Sequence, residues 1–280
     1  MPDGIDRPNP FRTGRTLVIA HGGGDGEFPE DTLYAYEHSV PLGSEVIDLD
    51  VQSTADGVIV ALHDDTVDRT TNGKGAVKSM TFASLEKLDA GWGFEKNGAH
   101  PFRGKGITVP RVEDALARYP TMLATLDLKD LSVDVVDPLC SMIRRLNRVD
   151  TIYLGVDTSE QVHEFRRACP EVRTSGTDEE RAAARAARDR GDLTYRSAQT
   201  VGQPSYLAAD GTPRVTAASI AASHARNVAM MPWVVDDPAA MRTLVAACVD
   251  GIYTRRPEVL RAIVDNETPA ACALAAPASG

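Results

Sequence analysis

Two histidines and three aspartates of this chain each lie at or near the end of a short apolar run. His21 follows Leu-Val-Ile-Ala, Asp48 and Asp50 sit in Val-Ile-Asp-Leu-Asp-Val, His63 follows Ile-Val-Ala-Leu, and Asp127 sits in Thr-Leu-Asp-Leu-Lys. Side chains alternate faces along a strand, so Asp48 and Asp50 point one way while Ile47, Leu49 and Val51 point the other. The same parity groups His21 with Leu17 and Ile19, His63 with Ile59 and Ala61, and Asp127 with Thr125 and Lys129. The wholly apolar opposite face of the Asp48/Asp50 run argues against an exposed edge strand. Two carboxylates about 4 Å apart repel by about 4 kcal/mol at an effective dielectric of about 20, so such a cluster must take up protons or hold a cation. An all-oxygen set favours a hard divalent ion, Mg2+ or Ca2+, with Mn2+ also compatible, over zinc. Imidazole titrates near neutral pH, and two histidines beside a bound anion suit general acid and base work. His38, His100, His163 and His224 fall in helical or loop stretches and are read as structural.

These groups need a scaffold that brings strand ends together. Strands are expected near 16–21, 46–51, 58–63, 122–128, 151–155, 171–175, 193–198, 228–234 and 250–254. Helices are expected near 30–41, 81–88, 111–118, 131–147, 158–168, 178–190, 216–225, 237–247 and 256–264. Alternation of this kind is the signature of a parallel sheet with crossover helices, and about eight such units over roughly 250 residues fit a (β/α)8 TIM barrel, whose active sites lie at the C-terminal mouth. The runs at 46–51 and 58–63 are too close for a crossover helix, and Ala55-Asp56-Gly57 would turn the chain tightly, so antiparallel pairing is one option there. After the strand ending at His63, a glycine-rich insertion over about 65–110 is expected to form a long loop at the mouth, with a smaller one over 199–213.

The chain has 280 residues, 42% hydrophobic and 25% charged, which suits an ordinary folded protein. It reads as one domain over 1–265 followed by a flexible tail, 266–280, of Ala, Pro and Ser. A net charge of -10 argues against non-specific binding to nucleic acid or anionic membranes. No window supplies the ~18 apolar residues of a membrane span, and the N-terminus lacks a signal-type apolar core, so a cytoplasmic protein is expected, or one whose export signal has been removed. Cys140, Cys169, Cys248 and Cys272 are widely spaced, without a zinc pattern, and are read as buried thiols.

The loop after His21, Gly22-Gly23-Gly24-Asp25-Gly26, imitates three known motifs and matches none. A dinucleotide fingerprint needs glycine where Glu27 stands; a P-loop needs Gly-Lys-Ser/Thr; an oxyanion loop of the His-Gly-Gly-Gly type needs a G-x-S-x-G elbow, which the chain lacks. What remains is a bare backbone that lets an anion approach His21.

Taken in order, the motifs resemble the glycerophosphodiester phosphodiesterase family, which groups with phosphatidylinositol-specific phospholipase C among metal-dependent barrels. The matching stretches are His21-Gly22-Gly23, Pro29-Glu30-Asp31-Thr32, Asp48-Leu49-Asp50-Val51, Thr54-Ala55-Asp56-Gly57, and His63-Asp64 through Arg69-Thr70-Thr71 to Gly75. Asp127-Leu128-Lys129, Trp233-Val234-Val235 and Val249-Asp250-Gly251-Ile252-Tyr253-Thr254 follow. The resemblance implies a small-molecule phosphodiester substrate, an acid/base pair at His21 and His63, and one divalent metal ion on Asp48, Asp50 and Asp127. Glu30 would ligate the metal or stand just behind it, Lys129 would meet the phosphate, and Trp233 would line the alcohol pocket. Three positions depart from the family pattern: Gly22 replaces a phosphate-binding arginine, which leaves Lys129 or Arg69 to compensate, and Asp48 and Asp127 replace longer glutamates.

The expected reaction is hydrolysis of a glycerophosphodiester to an alcohol and glycerol phosphate. A lipid or lysophospholipid phosphodiesterase is the alternative if Phe82, Trp92, Phe94 and Phe102 of the insertion face a ligand. A phosphodiester-binding protein with impaired catalysis is the other alternative, favoured by Gly22 alone.

Overall fold

Strand β1 (Leu17–Ala20) starts a succession of strands and helices in the computed structural model, which describes residues 8–130, 132–192 and 194–275. It is followed by α1 (Leu33–Ser39), the hairpin of β2 (Val46–Ser53) and β3 (Ile59–Ala61), the single-turn α2 (Phe82–Leu85), and α3 (Val112–Arg118). Regular alternation then runs through β4 (Leu123–Leu128), α4 (Val136–Arg145), β5 (Ile152–Val156), α5 (Ser159–Ala168), β6 (Arg173–Thr174) and α6 (Asp178–Asp189). It ends with β7 (Val201–Gly202), α7 (Ala217–His224), β8 (Ala229–Met230), α8 (Pro238–Ala246), β9 (Gly251–Thr254) and α9 (Pro257–Glu267).

The parallel strands lie in the order β6-β5-β4-β2-β1-β9, with β7 and β8 forming a second parallel pair. A bridge between Thr174 and Gln199 links β6 to the chain entering β7. On the other side the Tyr253 N–H donates to the Pro232 carbonyl at 3.1 Å, which joins β8 to β9. The eight parallel strands therefore close into a (β/α)8 barrel, with β3 appended antiparallel to β2 through Val51–Ala61 and Ser53–Ile59.

Strand parity divides the core as the sequence predicts. Leu17, Ile19, Val46, Tyr153, Val201, Met231 and Tyr253 fill the barrel with Phe11, while Ile47, Leu49, Val51, Leu126 and Leu154 face the helices and meet Leu116, Leu139, Ile143 and Phe165. Each such side chain contributes about 1.5–3 kcal/mol by leaving water. Helix starts are written locally: Thr32, Thr158, Thr177 and Thr216 cap α1, α5, α6 and α7 through their hydroxyls, and Asp237 with Pro238 starts α8.

Four expectations change. The seventh strand is Val201–Gly202 rather than 193–198; in the latter stretch Thr194 and Arg196 are exposed and make no ladder, whereas Val201 is buried. The 199–213 loop accordingly starts only after that strand. Residues 268–275, expected in a flexible tail, include a 3-10 turn, Ala270–Ala275, anchored by Cys272; residues 276–280 lie outside the described part. The cysteines are not thiols. Cys140 pairs with Cys169 across 5.8 Å between Cα atoms, and Cys248 with Cys272 across 5.2 Å. Sequence spacing hides this because the partners meet only when α4 packs on α5 and the C-terminus folds back over α8. Among the described residues no helix is long and apolar enough to cross a membrane.

Candidate active site

His21 leaves β1 on the barrel-facing parity and opens a 3-10 turn, His21–Gly23, in which Gly22 adopts φ +53°. Its Nδ1 lies 3.2 Å from Asp25 Oδ2. Asp25 also accepts from Arg255 Nε at 3.3 Å, and Arg255 reaches on to Asp236 at 3.2 Å, so the first strand's histidine is braced by groups beyond β8 and β9. Burial opposes the imidazolium, yet the Asp25 hydrogen bond and the fields of Asp48 and Asp50 prevail and push His21 up to about 9. His63 arrives differently. Strand β3 runs antiparallel, and the Leu62 N–H donates to the Asp50 carbonyl at 2.9 Å, so the hairpin brings His63 back to the level of the β2 acids instead of ending a barrel strand of its own. His63 Nδ1 is 2.9 Å from Asp64 Oδ1. Both imidazoles thus have Nδ1 held by a carboxylate, which orients the ring and leaves Nε2 for chemistry.

Asp48, Asp50 and Asp127 come together from adjacent strands, with Asp50 paired in register to Asp127. Asp48 accepts from the Gly22 N–H at 3.0 Å and from Thr125 Oγ1 at 2.7 Å. Burial, opposed by His21 and reinforced by Asp50, raises its carboxyl to about 6. Asp50 is also raised by burial, with Lys129 opposing. Lys129 Nζ is 3.3 Å from Asp50 and bonds Asp127 directly; despite its burial, those two acids hold the ammonium above the usual lysine value. The oxygens of the three acids do not all lie within 4.8 Å of one another. Among the described residues the set of potential ligands that does gather so closely is Cys140, Cys169 and Glu171, whose two sulfurs are bonded to each other. The acids nonetheless fit a hard cation by donor type, and the raised carboxyls of Asp48 and Asp50 are consistent with a pair short of positive charge.

His21, His63, Asp48, Asp50, Asp127, Lys129 and Trp233 all line one cavity of about 680 Å³. Trp233 is 45% exposed at its rim, with its indole N–H donating to the Gln203 carbonyl at 2.8 Å. Glu30, Arg69 and Gly22 are not in that lining. Arg69 grips Glu30 with both Nη atoms and Asp64 through Nε at 2.8 Å, which holds Asp64 down at about 2. Gly22 contributes its N–H to Asp48, and a Cβ there would come within 3.4 Å of Glu30. The aromatic residues of the insertion pack elsewhere: Phe82 is buried, Phe102 meets Tyr34 and Phe94, and Trp92 stacks on Arg103.

A model of the Glycerophosphoryl diester phosphodiesterase family matches residues 21–259, from His21 to α9. The chain belongs to this family. It is 29% identical over 261 residues to a glycerophosphodiester phosphodiesterase of Caldanaerobacter subterraneus, covering 88% of this chain and 96% of that one. A probable glycerophosphodiester phosphodiesterase 2 of Mycobacterium tuberculosis is 28% identical, with 91% and 92% covered. Among solved structures, a glycerophosphodiester phosphodiesterase from Agrobacterium tumefaciens superposes with a TM-score of 0.71 at 26% identity, over 88% of this chain and 99% of that one. This family member is therefore an enzyme, a phosphoric diester hydrolase acting on glycerophosphodiesters.

Sequence reading missed the partners that aim the histidines. Asp64 adjoins His63 and Asp25 lies one turn after His21, so both were within reach of a local pattern; Arg255 and Asp236 were not. Asp31 was missed as well. It is buried with φ +54°, its Oδ1 accepts the Asp50 N–H at 3.1 Å, and its Oδ2 has no partner among the described residues. Burial drives its carboxyl well above the ordinary range, and through the Asp50 N–H it ties the His21 loop to β2.

Proposed function

We propose that this chain hydrolyses a glycerophosphodiester by paired imidazole catalysis, with His21 as the acid and His63 as the base. The observation that carries the reading is two carboxylate-oriented histidines on one acid-lined cavity. His63 takes a proton from the attacking water as its oxygen bonds to phosphorus; where a glycerol hydroxyl attacks first, the same water then opens the cyclic phosphate so formed. His21, held protonated by Asp25, delivers a proton to the departing alcohol oxygen as the phosphorus–oxygen bond breaks. Lys129 supplies fixed positive charge beside the reacting phosphate, and Trp233 covers the alcohol at the rim. Asp48, Asp50 and Asp127 would hold one divalent ion, Mg2+, Ca2+ or Mn2+, with Glu30 behind them on Arg69; when bound it would neutralise charge on the phosphate oxygens.

A diester with a p-nitrophenol leaving group tests the proton assignment, since that group departs without an acid. His21→Ala should recover most of its lost rate on this substrate while His63→Ala should not; the opposite pattern would reverse the roles. A lipid substrate has no support in the cavity, whose lining includes none of Phe82, Trp92, Phe94 or Phe102.

The two disulfides remove the premise for a cytoplasmic location, because paired cysteines persist in oxidising compartments. We infer an enzyme that matures outside the reducing cytoplasm. Thiol titration of denatured protein from its native source should find no free sulfhydryl; four would restore the cytoplasmic reading.

A further inference from the structure

The catalytic cavity does not end at the acids and histidines. It continues away from β1 and β2 into a recess between α6 and α7, where Arg181, Arg185 and Arg188 line one wall and Ser219, Ser223 and Arg226 the other. The three arginines of α6 recur at intervals of four and three residues, which places them on a single helix face. In a chain with net charge -10, that concentration of cations on one ligand-accessible wall is notable in kind. Asp157 is the acidic side chain of the lining outside the catalytic cluster.

The positive charge is little compensated. Arg185 makes no ion pair among the described residues, and Arg188 pairs with the exposed Asp189 beside it. Arg181 donates to the Gly176 carbonyl and meets Asp178, itself 76% exposed. Arg226 is 8% exposed; its Nη atoms donate to the carbonyls of Ala222 and Asp192 at 2.6 and 2.8 Å, and among the described residues its Nε has no partner and no carboxylate pairs with it. The buried Tyr153 hydroxyl, inside the barrel, feels both Asp127 and Arg181, so the recess and the reacting centre share one field. A guanidinium fork suits phosphate and carboxylate oxygens, and such charge-assisted contacts are stronger than neutral ones.

Resting on the hydrolase reading of this cavity, we propose that the recess is a second anion site, and that the preferred substrates are glycerophosphodiesters whose alcohol carries its own phosphomonoester. The scissile phosphate sits among His21, His63 and Lys129 while the distal phosphate is taken by the α6 arginines. A volume of about 680 Å³ accommodates both ends of such a molecule. Cationic alcohols such as choline are disfavoured by the same wall.

The test compares glycerophosphoinositol 4-phosphate with glycerophosphoinositol and glycerophosphocholine, in kcat/KM by release of glycerol phosphate. The 4-phosphate should be preferred about tenfold or more over the unphosphorylated inositol ester, mainly through KM. In Arg185→Ala/Arg188→Ala the ratio should fall to within about threefold of unity, whereas Arg190→Ala, at the C-cap of the same helix and outside the cavity, should keep it. Equal rates on the two inositol esters in the wild type, a preference for choline, or an equal loss on both esters in the double variant would overturn the proposal. Calorimetric binding of the same three compounds to His63→Ala separates the two readings. A preference in binding with no turnover of any ester by the wild type would sink the hydrolase mechanism and leave the anion site standing; turnover of all three without a preference would do the reverse.

Discussion

The two sides of the barrel mouth hold their charges by different means. On the β1–β2–β4 side, Asp48 and Asp50 on β2 and Lys129 just past β4 are largely buried, and each is fixed by a neighbour: Gly22, Thr125, Asp31 or an acid across the sheet. On the α6–α7 side, Arg185 and Arg188 ride an exposed helix face, held by little beyond their own backbone. Buried charges interact strongly and are costly to leave unmatched, which suits reacting groups that must not wander; exposed charges interact weakly and through water, which suits recognition of a variable alcohol. On the mechanism and the anion site proposed above, catalysis and selection divide between strands and helices within one cavity.

The strongest way to break this division is at the histidines. His21→Ala or His63→Ala should lower kcat on a natural diester by about 10²–10⁴ with the far-UV circular dichroism unchanged; a folded variant with more than a tenth of the wild-type rate would show that the strand side is not where the chemistry occurs. Removal of Asp50 comes next. Asp50→Asn should cost at least about a hundredfold, and chelation of the wild type should do the same, reversed by Mg2+, Ca2+ or Mn2+. Activity indifferent to chelator would leave Lys129 as the cation that the acids serve.

The recess should show smaller effects and a different dependence on conditions. Its selectivity for a phosphorylated alcohol, about tenfold, should shrink as salt rises past 0.15 M, where the screening length is about 8 Å. The rate on the unphosphorylated inositol ester, which carries the scissile phosphate's charge alone, should change less over the same range. Identical salt profiles for the two esters would erase the contrast between the sides.

Least in size is an effect on stability. His21 is raised in the folded protein from 6.5 to about 9, so its contribution is fully present below pH 6.5 and is lost as pH rises through 9. In metal-free protein the melting temperature should decline by a few degrees across that window, on the order expected for ~1–2 kcal/mol, and the decline should flatten in His21→Ala. Asp48, raised from 3.8 to about 6, has the same sign in a lower window: stability is lost as pH rises from 3.8 through 6 and its carboxyl ionises in the folded protein. A wild-type curve without slope between pH 6.5 and 9 would mean that Asp25 does not hold the His21 proton.

Much of the strand side was legible before folding because it depends on local parity. Ile47, Leu49 and Val51 must bury together, which forces Asp48 and Asp50 to the other face whatever the rest of the chain does. Helix starts at Thr158, Thr177 and Thr216 were equally local. His63 was legible as a residue but not in its route, since whether β3 would pair forward or backward depended on the turn at Gly57 and on its register with β2. The arginine face was not legible at all. Asp-Glu-Glu-Arg-Ala-Ala-Ala-Arg-Ala-Ala-Arg-Asp reads as a solvated helix, and helical period does not say what the charged face looks at.

The order of residues along the chain was enough to specify the barrel, its two histidines and the acids on β2 and β4, because alternation and capping act over a few neighbouring residues. Closure of the barrel decided the remainder. It brought Asp236 and Arg255 behind His21, set α6 against the mouth, and carried Cys140 to Cys169 and Cys248 to Cys272. Those contacts join segments far apart in sequence, and their geometry exists only once the hydrophobic layers have packed and fixed the distances between elements.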